Sequence, residues 1–290
     1  MLDEATRLIE EKGYNVYRAC ELRGGKYAER VYRFSNRLNN IYSLSKSVTA
    51  TAAGILCADK RISLDDRIAD YLREYFPENR DERLERATIR DLLSHACGFE
   101  RGILFEEDAY THGTDDFARL ALSVKTDCGP GEKTVYSNAT YYLFSVIAEK
   151  ATGQTLFDFL RERLFVPLGF EGYAASTCPK GHTMGATGMF LRCEDLLKIG
   201  KLYLNEGTYE GKRFFEKRFA EEASAPLFPA GQRFYGLGFW RNGADDRYFY
   251  GDGKYGQLLV IDAEHDAVFA MQSCDPALSA ADFAKTIRQG

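Results

Sequence analysis

Three serines surround one lysine in the stretch IYSLSKSVTATAAGIL, from Ile41 to Leu56. A hydroxyl beside an amine can act as a nucleophile and its proton acceptor. In a helix, positions i and i+3 lie on one face about one turn apart, so Ser43 and Lys46 can meet, whereas Ser45 and Ser47, next to the lysine in sequence, cannot. A serine at a helix start also feels the positive end of the macrodipole, which favours a developing alkoxide. A lysine with its ordinary pKa of about 10.4 is protonated and takes no proton until burial or a nearby cation lowers that value. The apolar residues after Lys46 can supply the burial. Alone the pair is a weak signal: Ser-x-x-Lys arises by chance about once in a chain of this size, and Ser43 as a helix cap with a solvated Lys46 explains it at least as well.

A second segment changes the balance. PGEKTVYSNATYYL carries Tyr136, Ser137 and Asn138 just before an apolar helix. A phenol can share a proton with a Ser-Lys pair, and a carboxamide can orient the lysine and hold a substrate amide. The competing reading makes Asn138 a helix cap and Tyr136 part of the core.

Five ordered blocks carry a resemblance to a known family: IYSLSKSVTATAAGIL, ATIRDLLSHACGF, GPGEKTVYSNATYYLFSVIAEKATGQTLFDFL, FVPLGF and GMFLRCEDLLKIGKLYLNEGTYEGKRFF. In this order they resemble the serine β-lactamase and penicillin-binding-protein superfamily. The likeness is strongest to its class C β-lactamase-like branch of esterases, D-amino-acid peptidases and 6-aminohexanoate-dimer hydrolases. The resemblance implies that Ser43 is the acylated nucleophile, Lys46 its proton partner, Tyr136 a second general base or acid, and Asn138 a ligand of substrate and lysine. Tyr-Ser-Asn in place of Ser-Asp-Asn, and the lack of a Glu-x-x-Leu-Asn motif, set the chain apart from class A enzymes.

The third family motif departs from the pattern. Where Lys-Thr-Gly or His-x-Gly would edge the cleft, the chain reads YGDGKYGQLLVID. Gly251-Asp252-Gly253 is the preferred match, which would pair the Lys254 backbone N–H with that of Ser43 as an oxyanion hole. The alternative register is Lys254-Tyr255-Gly256. Losing the threonine removes a group that would bind a β-lactam carboxylate, so ester or amide hydrolysis is expected ahead of antibiotic hydrolysis.

Other motifs are set aside on context. GDGKYG satisfies Gly-x-Gly-x-x-Gly, yet that fingerprint must open a helix, and the residues after it read as a strand. His95, His112, His182 and His265 show no metal-ligand spacing, so no metal is expected. His95 in LLSHACG reads as a structural residue ending a helix. No Gly-x-Ser-x-Gly elbow occurs. Trp240 reads as core or cleft wall, and the charged run from Glu78 to Arg86 as a solvated face.

The elements that must position these groups follow from pattern. DEATRLIEEK suits a helix stopped by Gly13, and NVYRACEL and AERVYRF form a hairpin about Gly24-Gly25. From Ser43 to about Pro229 the pattern is mostly helical. The β-rich region from YGLGFWRN through DRYFYGDG and QLLVID to AVFAMQSC reads as a three-stranded meander, and a helix from about Leu278 to Arg288 follows. The expected fold is α+β, β-lactamase/transpeptidase-like: a five-stranded antiparallel sheet flanked by the terminal helices, with a large, mostly helical insertion. Residues 1-42 and 236-290 would form the sheet subdomain and 43-235 the helical one.

The chain has 290 residues, 45% of them hydrophobic and 28% charged, with a net charge of −5. That composition is globular and gives no footprint for nucleic acid. An acidic start and no run of eighteen apolar residues argue against a signal peptide or membrane span. Seven scattered cysteines without a Cys-x-x-Cys pair suit free thiols in a reducing compartment, so a cytoplasmic location is expected. The expected function is acyl-enzyme hydrolysis of small esters or amides, with no cofactor. β-Lactams or D-amino-acid peptides are alternative substrates, and a non-catalytic ligand-sensing homologue is the alternative of another class.

Overall fold

Gly13 stops the first helix as its place in the sequence predicts: α1 runs Leu2–Lys12, and Gly13, at φ 65, turns its N–H back to the Ile9 and Glu10 carbonyls. The computed structural model describes residues 1–34, 37–79, 81–105 and 113–289. His112, and Arg80 of the charged run, lie outside the described residues. Next, β1 (Val16–Arg23) and β2 (Lys26–Val31) form the expected hairpin, turned by Gly24 and Gly25 at φ 53 and 74.

The middle of the chain is mainly helical. Its principal helices are α2 (Ser45–Ala58), α3 (Asn138–Thr152) and α4 (Cys193–Leu204). Residues Ser45 through Leu56 of α2 are all buried, which fits a helix without a polar stripe: it runs through the centre of the molecule. A small sheet of Asn39–Asn40, Met189–Leu191 and Tyr173–Ala175 lies in the same half.

The carboxyl-terminal part adds β3 (Phe228–Ala230), β4 (Arg233–Tyr235), β5 (Trp240–Arg241), β6 (Tyr248–Gly253), β7 (Gln257–Asp262) and β8 (Ala267–Ser273), then α5 (Ala280–Gln289). One sheet results, in the order β2-β1-β8-β7-β6-β5-β4-β3, with every pairing antiparallel. The α+β architecture is as expected, but the sheet has eight strands rather than five. The hairpin and β6 to β8 are the five long ones. β3, β4 and β5 have only two or three residues each, too few for alternation to be legible. The last two strands of the sheet, β3 and β4, come from the helical side of the boundary expected at residue 236.

β7 and β8 are buried along their whole length because both faces of the sheet are covered. On one side α1 and α5 bring Leu2, Ala5, Ile9, Phe283 and Ile287 onto Val16, Leu258, Val260 and Met271. On the other, α4 and the helical half pack Leu196, Ile199 and Leu202 over Leu259, Ile261 and Val268. Burial of this apolar surface, at about 25 cal/mol per Å², fixes the sheet against the helices. The seam between the two halves is where the chemistry-bearing residues meet.

Candidate active site

Ser43 is held by the small sheet. The Ile41 N–H donates to Met189 O (2.9 Å) and the Tyr42 N–H to Asn40 Oδ1 (2.8 Å). Tyr42 is left-handed, at φ 46, a conformation that most side chains avoid. It throws the chain into a single 3-10 turn, Tyr42–Leu44, that feeds α2. Ser43 stays half-exposed at that turn while Lys46 is 1% exposed. The one-turn spacing brings Lys46 Nζ to 3.3 Å from Ser43 Oγ. The neighbouring serines are structural: Ser45 Oγ accepts the Met189 N–H (3.2 Å), and Ser47 Oγ donates to Gly238 O (2.6 Å).

Lys46 Nζ also donates to Asn138 Oδ1 (2.7 Å) and to the Ala186 carbonyl (3.0 Å). Among the described residues no carboxylate pairs with it. Burial pushes the Lys46 ammonium down to about 7, and the charge of Asp252 only partly opposes this. Near neutral pH a large share of the amine is therefore free to take a proton. Ala186 was not foreseen, because a backbone acceptor has no residue signature. The loop carrying it is tied to α2 by Thr49 Oγ1, which donates to Gly185 O (2.7 Å).

Tyr136 and Asn138 are brought to the same place. Ser137 caps α3, its Oγ accepting the Ala139 N–H (3.2 Å) and the Ile103 N–H (3.1 Å). Asn138 is left free to donate from Nδ2 to Leu104 O (2.9 Å) and to present Oδ1 to the lysine. The Tyr136 ring centre lies 4.6 Å from Lys46 Nζ. Burial holds its phenol well above the ordinary value, Asp252 adds to this, and a hydrogen bond with Ser43 opposes it. The ring stacks on Trp240 (5.8 Å, 26°) and Phe105 (6.5 Å, 11°) and meets His95 at 4.5 Å. His95 is buried and left-handed (φ 60). Its Nδ1 lies 2.7 Å from Thr140 Oγ1. Burial, then the Lys46 charge, keeps its ring neutral.

The third stretch lies alongside. Gly251 and Gly253 are strand residues of β6, whereas Lys254, Tyr255 and Gly256 make the turn into β7, with Tyr255 at φ 65 and Gly256 at φ 83. A Cβ on Gly253 would collide with the Ile41 carbonyl, and one on Gly251 with Leu44 and Ser47. Only glycine lets the strand lie this close to the Ser43 turn. The Tyr255 ring packs edge-on to Tyr42 at 5.3 Å, and Lys254 Nζ sits 5.1 Å from the Tyr255 ring centre. Gln257 Nε2 steadies the turn by donating to Ser273 O (2.5 Å). Asp252 pairs with Arg233 (2.9 Å), a partner the sequence reading did not single out because it lies two strands away. No helix opens after this stretch, so the dinucleotide reading has no support in the fold.

A central helix presenting serine and lysine against an antiparallel sheet is the architecture of the β-lactamase/transpeptidase-like folds. The chain belongs to the Beta-lactamase family, whose model matches residues 33–285. Among curated relatives, Penicillin-binding protein 4 of Amycolatopsis lactamdurans is 34% identical over 132 residues, which are 44% of this chain and 34% of the relative. The match thus spans about a third of that relative's length. Among solved structures, a candidate 6-aminohexanoate-dimer hydrolase from Bacillus anthracis superposes with a TM-score of 0.83 at 20% identity, covering 98% of this chain and 80% of that one. A D-stereospecific amidohydrolase from Streptomyces sp. gives 0.76 at 21% identity, covering 99% and 98%. These two likenesses establish the fold.

Proposed function

We propose that this chain is a serine hydrolase that cleaves small ester or amide substrates through an acyl-enzyme on Ser43. The observation that carries this reading is the approach of Lys46 Nζ to Ser43 Oγ, 3.3 Å, in surroundings that leave the amine free of its proton near pH 7. Ser43 Oγ bonds to the substrate carbonyl carbon as its proton passes to Lys46 Nζ. The electron pair displaced onto the carbonyl oxygen is held by the N–H groups of Ser43 and Lys254. This reading takes Gly251-Asp252-Gly253, rather than Lys254-Tyr255-Gly256, as the third motif, and the close approach of Gly251 and Gly253 to the Ser43 turn supports it. Collapse expels the alkoxide or amine, which takes a proton through the Tyr136 hydroxyl while Tyr136 recovers one from Lys46. Water then repeats the sequence on the acyl-enzyme and releases the acid. Asn138 orients the lysine and offers its carboxamide to the substrate.

The substrate classes, in order of preference, are small esters or amides, D-amino-acid peptides and β-lactams. The D-stereospecific amidohydrolase among the similar folds supports keeping the second. Among the described residues no helix is long and apolar enough to cross a membrane. All seven cysteines are free, which supports a reducing, cytoplasmic setting.

The test is labelling with a fluorophosphonate probe, followed by turnover of p-nitrophenyl butyrate, nitrocefin and a D-Ala peptide. Ser43→Ala is expected to abolish labelling; equal labelling of wild type and variant overturns the assignment. Stable acylation without turnover would instead support a ligand-sensing role.

A further inference from the structure

The sheet face that receives Tyr136 also carries an ion pair that the acyl chemistry does not use. Trp240 pairs across the strands with Tyr235 on one side and Tyr250 on the other, and Tyr136 packs on Tyr235 (6.1 Å) and Trp240 (5.8 Å). Alternation puts Arg233, two residues before Tyr235, and Asp252, two after Tyr250, on that same face. Arg233 Nη1 stands 2.9 Å from Asp252 Oδ2 and 3.5 Å from the Tyr250 hydroxyl, and its guanidinium lies 3.8 Å above the Trp240 ring. The pair is fixed by stacking and hydrogen bonding, yet Arg233 and Asp252 remain 30% and 20% exposed. They line a groove of about 450 Å³ whose outer rim carries Asp282 and Lys285, one charge of each sign. Asp252 sits between Gly251 and Gly253, which touch the Ser43 turn, and Trp240 contacts both Tyr136 and Arg233, so a substrate group beside the pair lies close to the reacting centre.

We propose that the Asp252–Arg233 pair sets the charge preference of the cleft: paired, the two charges cancel and the groove accepts acyl groups that are uncharged where they pass it. A substrate carboxylate would meet Asp252 and have to displace it from Arg233; a substrate ammonium would face the mirror problem. Removing either partner leaves the other as an uncompensated charge in a half-desolvated place, where it selects a substrate of opposite sign. This rests on the serine-hydrolase reading above.

The test uses three p-nitrophenyl esters of matched length: heptanoate (neutral), the adipate monoester (anionic) and 6-aminohexanoate (cationic). Wild type is expected to favour the heptanoate in kcat/KM over both ions. Asp252→Asn should raise the adipate-to-heptanoate ratio about tenfold, and Arg233→Gln should raise the aminohexanoate-to-heptanoate ratio similarly, a scale set by one partly screened charge pair. The double variant should return both ratios towards wild type. Asn is isosteric with Asp, so Asp252→Asn alone decides the matter if Arg233→Gln folds poorly by circular dichroism. Ratios that stay within about twofold in Asp252→Asn, where one partly screened charge pair predicts about tenfold, overturn the charge filter while leaving the hydrolase standing. Wild type that turns over none of the esters and takes no serine label removes both.

Discussion

Ser137 and Asn138 divide the start of α3 between them: the serine hydroxyl caps the helix, and the carboxamide, released from that duty, turns to Lys46 at 2.7 Å. The neutral amide orients the amine without adding a charge that would hold its proton.

Asn138→Asp tests this directly. A carboxylate at that distance favours the protonated amine, so the acid limb of the kcat/KM profile should move to higher pH than in wild type. A pH–rate profile on p-nitrophenyl butyrate checks it; an unmoved limb would mean that Lys46 is not the titrating base.

For the wild-type enzyme, kcat/KM should rise with pH through about 7, the value to which burial brings Lys46. The same shift has a stability sign. Between about 7 and the ordinary lysine value the unfolded chain binds a proton that the folded one does not, so stability rises with pH across that window. Lys46→Met removes this term. Wild type should therefore gain stability relative to this variant as pH rises from about 7 towards about 10, as urea melts at several pH values would reveal.

Tyr136 is a neutral phenol at working pH, since burial raises its pKa, so in the proposed mechanism it is a proton conduit rather than a standing base. Tyr136→Phe keeps the stack on Trp240 and should lower kcat by about 10²-fold, the usual worth of one positioned proton-transfer group, with KM little changed. Steady-state kinetics on an ester with a poor leaving group is the sensitive measurement.

Gly253→Ala drives a methyl into the Ile41 carbonyl and must push β6 off the Ser43 turn. If the Lys254 N–H holds the oxyanion, kcat should fall by about 10²-fold or more, out of proportion to the loss in melting temperature. Activity and thermal melts on the same sample separate the two effects.

What the sequence revealed of this site follows the range of the interactions. Ser43 with Lys46, and Tyr136 with Asn138, are local spacings on or beside a helix, and Lys46 lies within reach of Ser43, Asn138 and the Tyr136 ring. Ala186 stayed hidden because its contribution is a carbonyl, and Arg233 because its meaning comes from a strand two places away. The five long strands announced themselves by their β-prone runs, and β5 lies within the run YGLGFWRN; β3 and β4, of three residues each, are too short to do so and owe their strand form to their sheet neighbours. The third motif was ambiguous in sequence, and the close approach of Gly251 and Gly253 to the Ser43 turn is a tertiary fact.

β1 lies between β2 and β8, its residues Val16–Arg23 facing Ala267–Ser273. During synthesis the serine, lysine, tyrosine and asparagine emerge long before the strand that completes the sheet around β1. Closing so long a loop is slow, and the ledge from Gly251 to Lys254 itself emerges after all four of those side chains. In the proposed mechanism a nascent chain therefore carries the Ser43 hydroxyl before its oxyanion ledge exists, and hydrolysis awaits the pairing of the last strands.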